Sequence, residues 1–176
     1  CGYDPANKKE LDDQGIPVYL IQREGTFDIS FFLKISKFMK EKNTDIVHSH
    51  SGCFFNAEIC AYFAHVSGTV FTAHGMPVET GLKARIEDKI AASMTNSLVA
   101  VSEELKEHFM QLFPSNKEKV ELIINGVDTK LFCPIDDTKR VEEVKRKYNI
   151  PVGKFIVGTV GRLENVKNYQ MLIRSF

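Results

Sequence analysis

Three small clusters of residues in this chain have the types and spacing that chemistry needs. The densest is near the end: Gly161 and Arg162 follow an apolar run, and Lys167 comes five residues after Arg162, where a helical pattern begins. A glycine that lets backbone approach closely, two cations and a helix N-terminus can together hold a phosphate. An Arg fork with a Lys point charge suits a diphosphate. The competing reading is a pair of solvated loop cations. The other two clusters are His48-Ser-His50 and His74-Gly75. Histidines at strand ends can bind a ligand or carry a proton, and the competing reading is local capping or packing.

Such clusters work only if something rigid positions them. Candidate strands are Pro17–Ile21, Asp45–His48, Thr69–Ala73, Ser97–Val101, Lys119–Ile124 and Phe155–Val160, each rich in Val and Ile and almost continuously apolar. That texture fits strands buried on both faces of a parallel sheet. Helical patterns lie between them. Phe31, Phe32, Ile35, Phe38 and Met39 recur at helical spacing opposite Lys34, Lys37 and Lys40. Ser102 is well placed as an N-cap, with Glu103 and Glu104 in the first turn and Leu105, Phe109 and Leu112 along the apolar face. The alternation predicts an α/β fold, a Rossmann-like doubly wound parallel sheet. In such sheets ligands sit beyond the carboxyl ends of the strands, where all three clusters fall.

The texture changes at Asn125-Gly-Val-Asp128, followed by Phe132-Cys-Pro134, which are turn signals. A charged amphipathic helix from about Asp137 to Tyr148 then precedes the apolar run at Phe155. The expected organisation is a Rossmann-like domain over residues 1–125, then a linker and the truncated start of a second Rossmann-like domain over 126–176. The chain has 176 residues, 43% of them apolar and 26% charged, which places it among ordinary globular proteins. Its 23 basic and 23 acidic residues cancel, so no global field draws in nucleic acid, and none is expected as a partner. No run reaches the roughly 20 apolar residues of a membrane span. The four cysteines, Cys1, Cys53, Cys60 and Cys133, show no C-x-x-C spacing and read as reduced thiols.

Five segments, in order, resemble the retaining glycosyltransferases of the two-domain GT-B fold, specifically glycosyltransferase family 4. They are Asp45-Ile-Val-His-Ser-His50, Phe71-Thr-Ala-His-Gly75, Leu98-Val-Ala-Val-Ser-Glu103, Ile123-Ile-Asn-Gly-Val-Asp128 with Phe132 and Pro134, and Val157-Gly-Thr-Val-Gly-Arg-Leu163 ending in Lys167-Asn168. Each alone is weak, whereas the ordered set spans nearly the whole chain. The resemblance implies transfer of a sugar from a nucleotide-diphosphate donor to a hydroxyl on a glycan or lipid-linked acceptor, in polysaccharide or lipopolysaccharide biosynthesis. It implies no metal or other cofactor. Arg162 and Lys167, with Gly161, match the basic pair that grips the donor diphosphate. His74 matches the catalytic histidine that contacts the donor sugar. His48, His50 and Gly75 match strand-end positions facing the cleft, candidates for an acceptor role, and Asn125, Gly126 and Asp128 match the hinge between domains. Residues 1–125 become the acceptor-side domain and 126–176 the opening of the donor-binding domain.

The departures are specific. The family's first strand and Gly-rich loop have no counterpart after Cys1, and its paired glutamates have none before Phe176, so the chain is expected to be an internal fragment. Asn168 stands where a Gly usually follows the Lys. A catalytically inactive piece acting as a binding module is therefore a second reading. Further rivals are a nucleotide-sugar epimerase and a metal hydrolase with His48, His50 and His74 as ligands. The expected location is cytoplasmic. Lysines at 34, 37, 40 and 42, with Lys83, Arg85 and Lys89, raise the hypothesis of peripheral contact with the cytoplasmic face of a membrane.

Overall fold

A parallel sheet forms where four short apolar runs find one another. β1 (Ile46–His50), β2 (Gly68–Ala73), β3 (Ser97–Ala100) and β4 (Val120–Leu122) pair in that order, every neighbour parallel. The computed structural model describes residues 5–23, 25, 28–50, 52–76, 81–135, 137–151 and 153–176. Cys1 lies outside them; Cys53, Cys60 and Cys133 are free thiols.

Parallel neighbours need long crossovers, and each is a helix: α3 (Phe54–Ala64), α4 (Leu82–Met94) and α5 (Glu103–Leu112). Register decides which side chains meet them. Phe71 stands opposite Leu98, which stands opposite Val120, and Ala73 opposite Ala100, so these share one face. Phe54 of α3, Ala91 and Ala92 of α4, and Leu105 and Phe109 of α5 close over that face in one core. The strands run in sequence without a reversal, so right-handed crossovers bring all three helices to the same side. His48, His50, Val70, Thr72 and Val99 alternate to the opposite face.

Caps fix where helices start. Ser102 Oγ accepts the Leu105 N–H at 3.3 Å, with Glu103 and Glu104 in the first turn of α5, as expected. Before β1, α1 spans Pro5–Asp13 and α2 spans Ile29–Glu41. Asp28 Oδ1 accepts the Phe31 N–H at 3.0 Å to start α2, and Ser36 Oγ donates to the Cys60 carbonyl at 3.0 Å to tie α2 to α3. The thiol of Cys60 is pushed up to about 11 by its burial.

Two predicted strands do not form. Pro17–Ile21 and Phe155–Val160 join no ladder. A strand needs a second segment to satisfy its backbone, which no local pattern supplies. Tyr19 instead packs edge-on against Phe38 of α2, with ring centroids 4.7 Å apart. Phe155 is 93% exposed.

The chain divides into two compact units, Cys1–Gly126 and Val127–Phe176. The described part of the second holds α6 (Thr138–Lys147), capped by Asp137, and α7 (Tyr169–Arg174) after a 3-10 turn at Asn165–Lys167, without a strand. Among the described residues, no helix is long and apolar enough to cross a membrane.

At the amino end of the sheet a polar knot surrounds a buried carboxyl. Glu58 of α3 is 2% exposed and meets Thr69 and Thr95. Asn96 Oδ1 accepts the Thr69 N–H at 2.8 Å, and Lys119 Nζ donates to the Ser93 carbonyl at 3.0 Å. Burial pushes the Glu58 carboxyl above its ordinary value of 4.5, against the pull of the threonine hydroxyls and Lys119. The folded state therefore holds this proton more tightly than the unfolded state, and stability falls as pH rises from about 4.5 through the raised value. Glu58→Gln should flatten that fall and stabilise the fold near neutral pH, measured as urea midpoints at several pH values. Leu98→Ala, in the middle of the core, should cost about 2–5 kcal/mol in the same assay.

Candidate functional site

The carboxyl ends of β1 and β2 gather three of the predicted residues in one chain of contacts. The β1–β2 register sets His50 against Thr72, so His74, two residues further on, lies beside the end of β1. His50 Nδ1 is 2.8 Å from His74 Nε2, and the two rings stack at 19° with centroids 5.1 Å apart. His48 Nε2 is 2.8 Å from the Thr72 hydroxyl, and the His48 and His50 rings are 4.4 Å apart. At 2.8 Å, one of the His50–His74 nitrogens donates and the other accepts, so the protonation of one ring is tied to that of the other. The His50 imidazole titrates below its ordinary 6.5, held down first by partial burial and then by the neighbouring His48 and His74. Neither the Thr72 hydroxyl nor the Cys53 thiol carries a site signal in the sequence. The Cys53 Sγ donates to the His50 carbonyl at 2.8 Å and closes the turn into α3.

These nitrogens point at one another and at Thr72 rather than at one vacant point. They form two hydrogen-bonded pairs, His48–Thr72 and His50–His74, joined by the His48–His50 ring contact, and among the described residues no group of three His, Cys, Asp or Glu could hold a metal ion.

Beside His74 and Gly75 opens a cavity of about 970 Å³. Phe32, Phe54, Phe55 and Phe71 make its apolar wall, and Glu87 and Asp88 of α4 face it. Burial, and then the adjacent Glu87, raises the Asp88 carboxyl above its ordinary value. This acidic pair lies outside the expected site residues, although its spacing with Ala84 and Ala91 places all four on one helical face.

In the second unit, Gly161, Arg162 and Lys167 form a local cluster of their own. A Cβ on Gly161 would come within 2.9 Å of the Tyr169 hydroxyl and 3.6 Å of the Lys167 side chain. Glycine is what lets those two side chains approach the backbone. Arg162 pairs with Glu164 at 2.8 Å, both exposed. Such an exposed pair is worth about 0–1 kcal/mol, so an anion can displace the carboxylate at small cost. Lys167 ends the 3-10 turn, and the α7 N-cap is Asn168, in left-handed conformation at φ 47°. Glu164 and Tyr169 join this cluster without a site signal of their own in the sequence. At the junction, Asp128 Oδ1 accepts the N–H groups of Lys130 and Leu131 at 2.9 and 3.1 Å, closing a turn after Asn125 and Gly126.

Residues 1–131 match the profile of Glycosyltransferase Family 4. The chain belongs to that family. It is 28% identical over 148 residues to the Escherichia coli UDP-Gal:alpha-D-GlcNAc-diphosphoundecaprenol alpha-1,3-galactosyltransferase, covering 80% of this chain and 38% of that one. It is 24% identical to the putative glycosyltransferase EpsF of Bacillus subtilis, covering 99% of this chain and 46% of the relative. Among solved structures it superposes on Anabaena Alr3699/HepE in complex with UDP with a TM-score of 0.80 at 18% identity, covering 98% of this chain and 47% of that one. A glycosyltransferase from Rickettsia africae gives 0.74 at 22% identity, covering 95% and 45%. These neighbours share the Rossmann-like GT-B fold. The chain spans less than half the length of each of these relatives.

In this family 4 chain, the His50–His74 contact should fix which nitrogen of His74 carries the proton. Long-range nitrogen–proton spectra of the imidazoles should show one tautomer of His74 at neutral pH, and a mixture in His50→Asn. Because the folded pKa of His50 is lowered, the unfolded state binds its proton first, so stability should fall as pH drops below 6.5. His50→Asn should remove part of that fall.

Proposed function

We propose that this protein acts as a retaining glycosyltransferase, moving a sugar from a nucleotide-diphosphate sugar to a hydroxyl of a glycan or lipid-linked acceptor in polysaccharide or lipopolysaccharide biosynthesis. The observation that carries the reading is the family match over residues 1–131 together with the His48–His50–His74 chain at the carboxyl ends of the sheet, the face where α/β folds bind ligands. The E. coli relative is named for a UDP-galactose donor and a diphosphoundecaprenol-linked acceptor, and the Anabaena protein is in complex with UDP. Both support a nucleotide-sugar donor.

Breaking the sugar–phosphate bond leaves the electron pair on the departing nucleoside diphosphate while positive charge grows on the sugar. Arg162 and Lys167 serve the departing group: the guanidinium exchanges Glu164 for phosphate oxygens and the ammonium adds a second charge. His74 serves the donor sugar, with its protonation set through His50. The first unit presents the acceptor hydroxyl, from the side of the apolar cavity next to His74 and Gly75.

The test is sugar transfer and nucleotide release measured over a panel of nucleotide sugars. Arg162→Ala should lose roughly a hundred- to a thousandfold in kcat/KM, as for removal of one donor to a developing oxyanion. An unchanged value would remove the diphosphate role. His74→Ala should lower kcat with the donor KM held, and a change confined to KM would make it a binding residue. Nucleotide binding without turnover on any donor would favour the binding-module reading.

A further inference from the structure

Helix α4 turns small and acidic residues inward where a covering helix ordinarily turns large apolar ones. Ala91 and Ala92, in its second half, are fully buried in the core. Ala84, Glu87 and Asp88, in its first half, instead line the cavity of about 970 Å³. Other walls of that cavity are aromatic: Phe54 and Phe71 stack with centroids 4.0 Å apart, and Phe32 and Phe55 lie beside them. The volume is that of a pocket for a small molecule.

The two acids differ in how they are satisfied. Glu87 pairs with Lys83 at 3.6 Å. Asp88 is half-buried and, among the described residues, makes no hydrogen bond and no ion pair. Taking a carboxyl out of water without a partner costs free energy, which a ligand bonded to it returns. Such a ligand has to be apolar toward the phenylalanines and hydrogen-bonding toward Asp88. A pyranose ring is both: its C–H face rests on aromatic faces, which carry partial negative charge, and its hydroxyls donate to a carboxylate. An alkyl or isoprenoid chain would cover the phenylalanines and leave Asp88 unpaired. Charge narrows the class further. Among the described lining residues the acids are Asp28, Glu87 and Asp88, and Arg23 and Lys83 are the bases. Lys83 is engaged by Glu87, and the Arg23 guanidinium lies over the Phe31 and Phe32 rings, 5.9 Å from each centroid. An anionic group set against Asp88 would therefore meet a like charge.

We propose that this cavity binds an uncharged sugar, stacked on the phenylalanine wall with its hydroxyls on Asp88, and that Asp88 excludes uronic acids and sugar phosphates. Ala84 leaves the room for the ring, since it stands on the same helical face one turn before Asp88. His74 and Gly75 border the same cavity, so a sugar held there lies beside the imidazole pair. The proposal deepens the transfer reading, and rests on it only in taking the bound sugar as the acceptor. Its selectivity for uncharged sugars is a matter of binding and is measured without turnover.

The test is titration calorimetry and saturation-transfer spectra of the whole chain with a panel of methyl glycosides, without nucleotide. The panel holds neutral hexoses, N-acetylhexosamines, hexuronic acids and hexose 6-phosphates. At least one uncharged glycoside should bind, with saturation strongest on its ring C–H protons, and its uronic acid counterpart should bind roughly tenfold or more weakly. Asp88→Leu should weaken the uncharged glycoside roughly ten- to a hundredfold, as for loss of a hydrogen bond to a charged group. Asp88→Asn should keep most of that affinity and narrow the gap to the uronic acid. Ala84→Phe should abolish binding by filling the space, with no change of charge. Backbone amide spectra would report whether each variant keeps its fold. Binding of no glycoside, equal binding of the uronic acid, or full affinity in Asp88→Leu would each overturn the proposal. So would farnesyl phosphate bound to the chain in a way that Ala84→Phe abolishes, since an apolar chain would then be the occupant. The selectivity with no transfer from any nucleotide sugar would keep the sugar site and remove the transfer reading. Transfer to an uncharged acceptor whose KM is the same in Asp88→Leu would remove the sugar site and keep that reading.

Discussion

The parallel register between β1 and β2 is the constraint on which the first unit depends. Pairing Ile46 with Gly68 and His50 with Thr72 commits each side chain of the two strands to one face. A slip by one residue would flip one strand against the other, sending Phe71 out of the core or turning His48 and His50 into it. The same ladder thus sets the apolar centre and brings His50 within a hydrogen bond of His74. Stability and the candidate chemistry are not separate layers here, because both follow from one set of backbone bonds.

Around that ladder the two ends of the sheet are built differently. The amino end is closed by a polar knot of buried Glu58, Thr69 and Thr95, with half-buried Lys119 and exposed Asn96 bonded at its edge. The carboxyl end is open, with His48 bonded to Thr72, His50 bonded to His74 and an aromatic-walled cavity beside them. A closed end resists motion and an open end admits ligand, so the asymmetry fits the rule that α/β sheets bind at their carboxyl edge. In the second unit the cation cluster depends on local contacts alone: Gly161 against Tyr169 and Lys167, and Arg162 against Glu164.

Four of the six expected strands are present, and the Ser102 and Asp137 helix starts are where the residues placed them. Each of these is a local decision: apolar runs of strand length, a hydroxyl or carboxylate before a helical pattern. Pro17–Ile21 and Phe155–Val160 carry the same local signal and form no ladder, because pairing depends on a partner segment elsewhere in the chain. Helix α4 shows the limit in another way. Helical periodicity marks Leu82, Ile86 and Ile90 as one face, but only packing reveals that this face turns away from the sheet.

What the residues alone determined is the fold class, the family, and the three clusters able to carry chemistry, because these rest on types and spacings that survive without knowledge of contacts. What only the tertiary structure decided is how they combine. It joined His50 to His74 and His48 to Thr72, set Glu87 and Asp88 toward a cavity, and buried Glu58 in a polar knot. Each of those facts is a distance between residues far apart in sequence or a choice of helix face. Such distances are fixed by register and packing, to which every element contributes and which no single segment encodes.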